Sequence, residues 1–145
     1  MKTDKWDKRF MELAKLISTW SKDPSTKTGA VIVRPDRTIL AVGYNGFPKG
    51  MSDYDELYID RETKYSRIVH CEMNSVLNAK QSVEGCTLYT FPFASCDRCA
   101  VHMITSGIKV CVFPKLPKKL EKRWKDSVEK TKDYFDEAQV QWREI

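Results

Sequence analysis

Val69 to Ala79 reads V-H-C-E-M-N-S-V-L-N-A, and a second short run, Phe93 to Ala100, reads F-A-S-C-D-R-C-A. The first puts His70 two residues before Glu72, and the second sets Cys96 and Cys99 two residues apart. One neutral imidazole and two thiolates make three ligands, and the thiolates balance the charge of one Zn2+. Three protein ligands leave the fourth tetrahedral position open, which is the catalytic rather than the structural pattern. Glu72 stands beside a ligand without being needed as one, so its carboxylate is free to move protons.

Both runs open apolar stretches, so each is expected at the start of a helix. Cys96 and Cys99, three apart, then share one helix face. At a helix N-terminus they meet exposed backbone N–H groups and the positive dipole end, which favour thiolate over thiol. His70 and Glu72, two apart, do not face each other on a regular helix. They serve one site only if His70 lies at the cap.

Either run alone is weak, because C-x-x-C also marks redox pairs and structural zinc knuckles. No second C-x-x-C completes a four-thiolate site, and Glu72 would have no purpose in one. Together the runs resemble the H-x-E and C-x-x-C signature of zinc-dependent base deaminases. The chemistry this predicts is hydrolytic deamination of a cytosine ring. Glu72 takes a proton from an activated water and passes it to N3, hydroxide adds at C4, and Glu72 protonates the departing amine.

The rest of the chain is read around that centre. Its 145 residues, 41% hydrophobic and 31% charged, suit one domain over residues 1–145. No apolar run reaches the length of a membrane span, and M-K-T-D-K-W-D-K lacks the apolar core of a signal peptide. A cytoplasmic protein is expected, and the odd count of five cysteines fits reduced thiols. Cys71, Cys86 and Cys111 lie in apolar stretches and read as core.

The net charge of +5 favours anionic partners only weakly. Lys115, Lys118, Lys119, Lys122, Arg123 and Lys125 read first as a solvated helix face and second as an attraction for phosphate. A nucleic-acid partner is not expected, since it calls for a broad basic stripe with interleaved aromatics. Trp6, Trp20, Trp124 and Trp142 are instead scattered along expected core faces.

Helical spacing of Phe10, Leu13, Leu16, Ile17 and Trp20 predicts a helix from Trp6 to Trp20. Short β-branched runs around Pro35-Asp36 predict strands at Gly29 to Val33 and Thr38 to Val42. Lys49 to Arg67 reads as a polar loop with a helical piece near Ile59 to Lys64, long enough to suggest function. Cys71 to Lys80 reads as helix, Cys86 to Phe91 as strand, Asp97 to Thr105 as helix and Ile108 to Phe113 as strand. Strand, helix, strand in that order implies a parallel crossover. A charged helix over Lys118 to Phe135 and an edge strand at Val140 to Trp142 complete the chain. The class is α/β, a mixed sheet of about five strands with helices on both faces.

Four further pieces sharpen the resemblance: S-K-D-P-S-T-K-T-G-A-V-I-V (Ser21 to Val33), G-Y-N-G-F-P-K-G (Gly43 to Gly50), T-K-Y-S-R-I-V-H-C-E-M-N-S (Thr63 to Ser75) and the C-x-x-C run. With them, residues 6 to 113 resemble the deoxycytidylate (dCMP) deaminases of the cytidine deaminase superfamily. The G-Y-N-G-F-P piece points to that branch. The resemblance implies a three-layer α/β/α cytidine-deaminase-like fold and a homo-oligomer, usually a hexamer. It also implies conversion of dCMP to dUMP for thymidylate synthesis.

The resemblance carries over His70, Cys96 and Cys99 as ligands of one Zn2+ per subunit, and Glu72 as the proton shuttle. It puts Asn45 on the sugar and Lys27 on the 5′-phosphate, with Lys115 a looser candidate. Taken alone, Asn45 reads as a turn residue and Lys27 as a surface lysine. Ser95 stands where the family usually has proline, in a loop beside the amine-leaving side of the site. Asn74 is expected to hold the turn backbone.

The resemblance further implies activation by dCTP and inhibition by dTTP, each triphosphate accompanied by Mg2+. That site would lie at Gly43, Tyr44, Asn45, Gly46, Phe47 and Pro48, near a subunit interface. His102, expected partly buried, is not assigned to a second metal. Two other readings compete. One is a zinc deaminase acting on cytidine, deoxycytidine, dCTP or a nucleic-acid base. The other is an inactive zinc-stabilised binding module, against which Glu72 argues.

Overall fold

β-Branched residues fill β1 (Gly29–Val33), and the Pro35-Asp36 turn returns the chain into β2 (Ile39–Tyr44), paired antiparallel to it. The computed structural model describes residues 4–145. Before the hairpin comes α1 (Lys5–Ser18). After it come α2 (Asp55–Ile59), α3 (Arg61–Arg67), α4 (Cys71–Ala79), β3 (Thr87–Phe91), α5 (Asp97–Ser106), β4 (Val110–Phe113), α6 (Lys118–Glu137) and β5 (Gln141–Glu144). The sheet order is β2-β1-β3-β4-β5. β1 runs antiparallel to β3, whereas β3, β4 and β5 are mutually parallel. Parallel neighbours require crossovers, which α5 and α6 supply.

Alternation along the strands divides the core into two layers. Ala30, Ile32, Leu88, Cys111 and Phe113 face one side, under Cys71 and Ala79 of α4, Met103 of α5 and Phe135 of α6. Val31, Val33, Tyr89 and Val112 face the other, under Phe10, Met11 and Ala14 of α1. The result is the expected α/β/α stack around a five-stranded mixed sheet. Leu88, Phe113 and Phe135 are fully buried, each worth roughly 1.5–3 kcal/mol of apolar transfer.

Two glycines set how closely the helices lie. A Cβ on Gly29 would stand 2.3 Å from the Ala14 carbonyl oxygen of α1, and one on Gly43 2.5 Å from the Ser75 nitrogen of α4. Gly43 therefore has a packing reason of its own: it lets α4, which carries Glu72, press onto β2.

Several expectations change. α1 ends at Ser18, and Leu16 and Trp20, expected in the core, are 54% and 56% exposed. The sheet is covered by the Phe10, Met11, Ala14, Ile17 stripe instead, which leaves the opposite side of the helix to solvent. The polar loop folds into two short helices, α2 and α3. His102 is exposed rather than partly buried, its Nδ1 2.7 Å from the Arg98 carbonyl oxygen. Cys71, Cys86 and Cys111 are buried core, as expected. Among the described residues no helix is long and apolar enough to cross a membrane.

Candidate metal centre and active site

His70 is the cap residue of α4, extended at φ −69° and ψ 157°. That backbone resolves the two-residue spacing, because the imidazole leaves the chain before the helix begins while Glu72 already lies in the first turn. The G-Y-N-G-F-P turn fixes this cap from outside. Val69 N donates to Gly46 O at 2.8 Å, and Gly46 N donates to Val69 O at 3.1 Å. Asn74 Nδ2 donates to Tyr44 O at 2.7 Å and to Val69 O at 3.3 Å, the backbone-holding role expected of it.

Cys96 is the matching cap of α5, also extended, and its Sγ accepts from Cys99 N at 3.4 Å. Two helix starts thus converge. His70 Nδ1 lies 3.2 Å from Cys99 Sγ and 3.5 Å from Cys96 Sγ, and the three ligand atoms lie within 4.8 Å of one another. Both cysteines are free thiols. Zn–S and Zn–N bonds of about 2.3 and 2.1 Å at tetrahedral angles would space ligand atoms roughly 3.6–3.8 Å apart, so a small adjustment seats the ion. The cluster also has the electrostatics of a cation site. Hydrogen bonding from Cys99, then from His70, holds the Cys96 thiol far below its usual range. The hydrogen bond to Cys96 raises His70 to about 9. Cys99, beside that thiolate and buried, is pushed up. One divalent ion would replace the shared protons and hold both sulfurs as thiolates.

Glu72 is 5% exposed and lines the cavity beside this cluster. Cys71 Sγ approaches its Oε1 at 3.8 Å. The cavity encloses about 80 Å3, room for several waters at roughly 10–15 Å3 each. Its lining brings together His70, Cys96 and Glu72, the apolar Phe91 and Phe93, the polar Asp23, Asn45 and Lys64, and Tyr65, Arg123 and Trp124.

The polar side is a closed network. Asn45 Oδ1 accepts from Thr28 N at 2.9 Å, while its Nδ2 donates to Thr26 O at 2.9 Å and to Asp23 Oδ2 at 3.3 Å. Asp23 Oδ1 accepts from Ser25 N at 2.8 Å and pairs with Lys64 Nζ at 3.2 Å, both side chains 6% exposed. A buried pair with this many partners is a fixed part of the wall.

The structure brings His70, Glu72, Cys96 and Asn45 to the cavity and Cys99 to the metal cluster. It does not bring Lys27, Lys115 or Ser95 to the cavity lining. Lys27 Nζ instead donates to Ser21 O at 2.8 Å and Asp23 O at 3.1 Å, stitching its own loop. Lys115 is exposed beyond β4, its N donating to Ile145 O. Ser95 is buried, its carbonyl accepting from Thr131 Oγ1 at 2.7 Å. Asp23, Lys64, Tyr65 and Trp124 also line the cavity, which nothing local in the S-K-D and T-K-Y pieces that hold three of them announces.

Residues 4–115 match the family described as "Cytidine and deoxycytidylate deaminase zinc-binding region". The chain is 40% identical over 137 residues to an "Uncharacterized deaminase in luxG 3'region" of Aliivibrio fischeri, covering 94% of this chain and 91% of that one. It is 36% identical over 149 residues to the deoxycytidylate deaminase of Pongo abelii, covering 97% and 79%. The fold of the cyanophage S-TIM5 dCMP deaminase, in complex with dCMP and dUMP, superposes with a TM-score of 0.79 at 21% identity over the full length of both chains. The matched region contains all three converging ligand atoms, and the chain belongs to the cytidine and deoxycytidylate deaminase family as a zinc-dependent deaminase.

Proposed function

We propose that this deaminase converts dCMP to dUMP and ammonia, with Glu72 as its acid–base residue. The observation that carries the reading is the convergence of His70 Nδ1, Cys96 Sγ and Cys99 Sγ beside a buried, cavity-facing Glu72. The chain's likeness to curated deoxycytidylate deaminases supports the choice of substrate.

His70, Cys96 and Cys99 would hold the ion. When bound, Zn2+ supplies Lewis acidity, making a water nucleophilic near neutral pH. Glu72, next to the ligands and shielded from bulk solvent, takes a proton from the attacking water and places it on N3 of the ring. Once C4 is tetrahedral, Glu72 takes the remaining proton from the new C4 hydroxyl and gives it to the exocyclic amine. The C4–N bond then breaks and ammonia leaves. Phe91 and Phe93 provide an apolar wall that keeps other water from the ring. Asn45, held by Thr28, Thr26 and Asp23, presents a rigid edge toward the sugar.

The test is a panel of dCMP, dCTP, deoxycytidine, CMP and a short single strand, followed by ring absorbance. Preference for dCMP is expected, and preference for deoxycytidine would refute the nucleotide reading. Within the same proposal, one domain assembles as a homo-oligomer, a hexamer by resemblance. Gly43 to Pro48 would then answer to dCTP and dTTP. Sedimentation and the panel repeated with each triphosphate check both points. A monomer, or no change in rate, would remove them.

A further inference from the structure

Among the described residues, Trp124 Nε1 is the one buried side-chain nitrogen or oxygen that meets no hydrogen-bond partner. Buried donors are rarely left unpaired, because the cost of desolvation is then not offset. Trp124 lines the active-site cavity from α6, its ring packed on Phe93 at 5.3 Å between centroids. Arg123, the residue before it, lines the same cavity from its exposed end. Its guanidinium lies 5.0 Å from the Trp124 ring, and its Nη2 donates to the Tyr65 hydroxyl at 2.8 Å. That partner is neutral, so the guanidinium charge stays available. Lys64, the lysine of the lining, is already neutralised by Asp23 at 3.2 Å.

We infer that Arg123 and Trp124 recognise the 5′-phosphate of the nucleotide. The inference rests on the reading of the substrate as a nucleoside monophosphate. The base lies against Glu72 and the metal ligands, and the phosphate lies toward the exposed end. Arg123 turns its planar fork from Tyr65 to two phosphate oxygens. Trp124 Nε1 donates to a third oxygen and so gains its missing acceptor. Arg123 and Trp124, rather than Lys27 or Lys115, then separate dCMP from deoxycytidine.

The experiment compares zinc-loaded wild type, Arg123→Gln and Trp124→Phe. It measures steady-state turnover of dCMP and of deoxycytidine, and calorimetric binding of dUMP. Arg123→Gln is expected to raise KM for dCMP about 10–100-fold, with a smaller change in kcat, and to weaken dUMP by a similar factor. Its loss on deoxycytidine, which has no phosphate for Arg123 to meet, should be much smaller than its loss on dCMP. Trp124→Phe, which keeps an aromatic body, should weaken dCMP and dUMP about 3–10-fold relative to deoxycytidine. Equal losses on dCMP and deoxycytidine would mean a merely structural role and overturn the inference, as would an unchanged preference in both variants. A wild type that prefers deoxycytidine would instead sink the monophosphate reading, and this inference with it.

Discussion

Two buried carboxylates, Asp7 and Glu72, do opposite work. Asp7 is 2% exposed and Glu72 5%. Asp7 sits in α1, on the face of the sheet away from the metal cluster. It accepts from the Tyr89 hydroxyl at 2.7 Å and from Arg143 at 2.8 and 2.9 Å. Those bonds tie α1 to β3 and to the edge strand β5. Burial raises its pKa, but the bonds from Arg143 and Tyr89 outweigh that and leave it below the usual carboxylate value. Among the described residues no cationic side chain bonds to Glu72, and the thiol of Cys71 approaches it at 3.8 Å. A buried acid with a full set of donors is a clamp. One that faces a cavity with few donors is open to the acid–base role proposed for Glu72.

Removing the ion should separate the two acids most sharply. Extensive chelation is expected to abolish turnover, and added Zn2+ to restore it, while the Asp7 clamp keeps the rest of the fold in place. Turnover that survives full metal loss, checked by metal analysis, would break the contrast. Glu72→Gln comes next. Loss of one general acid–base group costs about 10²–10⁴-fold in kcat, and more is expected here because Glu72 acts twice. The melting temperature should not fall, since the amide removes a buried charge without losing a charged partner. A lower Tm with kcat intact would exchange the roles of the two acids.

Asp7→Asn is the reverse experiment. It leaves Arg143 without its counter-charge, and Arg143 keeps some access to water, its side chain 25% exposed. The loss should be about 3 kcal/mol, at the low end for a broken buried pair, or roughly 6–12 °C in Tm. The kcat of the folded enzyme should not change. The smallest effect is that of pH. Because Asp7 is lowered in the folded state, its contribution is fully present above the unfolded carboxylate value near 4. It is lost as pH falls through the lower folded value. Wild type should therefore lose Tm below about pH 4 more steeply than Asp7→Asn. Parallel acid limbs in calorimetry would show that Asp7 is not the linked group.

The metal cluster was legible because its signals are local. H-x-E and C-x-x-C each lie at a helix start, and capping geometry is decided within a few residues. The alternation in β1 and the crossover β3-α5-β4 were readable for the same reason. Trp20 misled because its spacing matches the helical stripe, yet the turn of the chain after Ser18 leaves it on the surface against Tyr44. Lys27 lies outside the cavity lining although Asp23, Ser25, Thr26 and Thr28 around it line the cavity, because its ammonium is taken up by the carbonyls of Ser21 and Asp23. Arg123 read as one more charge on a basic helix. Only the tertiary fold brings it to Tyr65, across 58 residues of chain.

The sequence by itself determined the chemistry: an imidazole, two thiolates and a carboxylate whose types and spacings admit few other uses, on helices specified by their own caps. The tertiary structure alone decided which polar side chains share the cavity with them. That depends on how segments far apart in the chain, such as those holding Tyr65 and Arg123, come together at the cavity, and such contacts leave no periodic trace in either one.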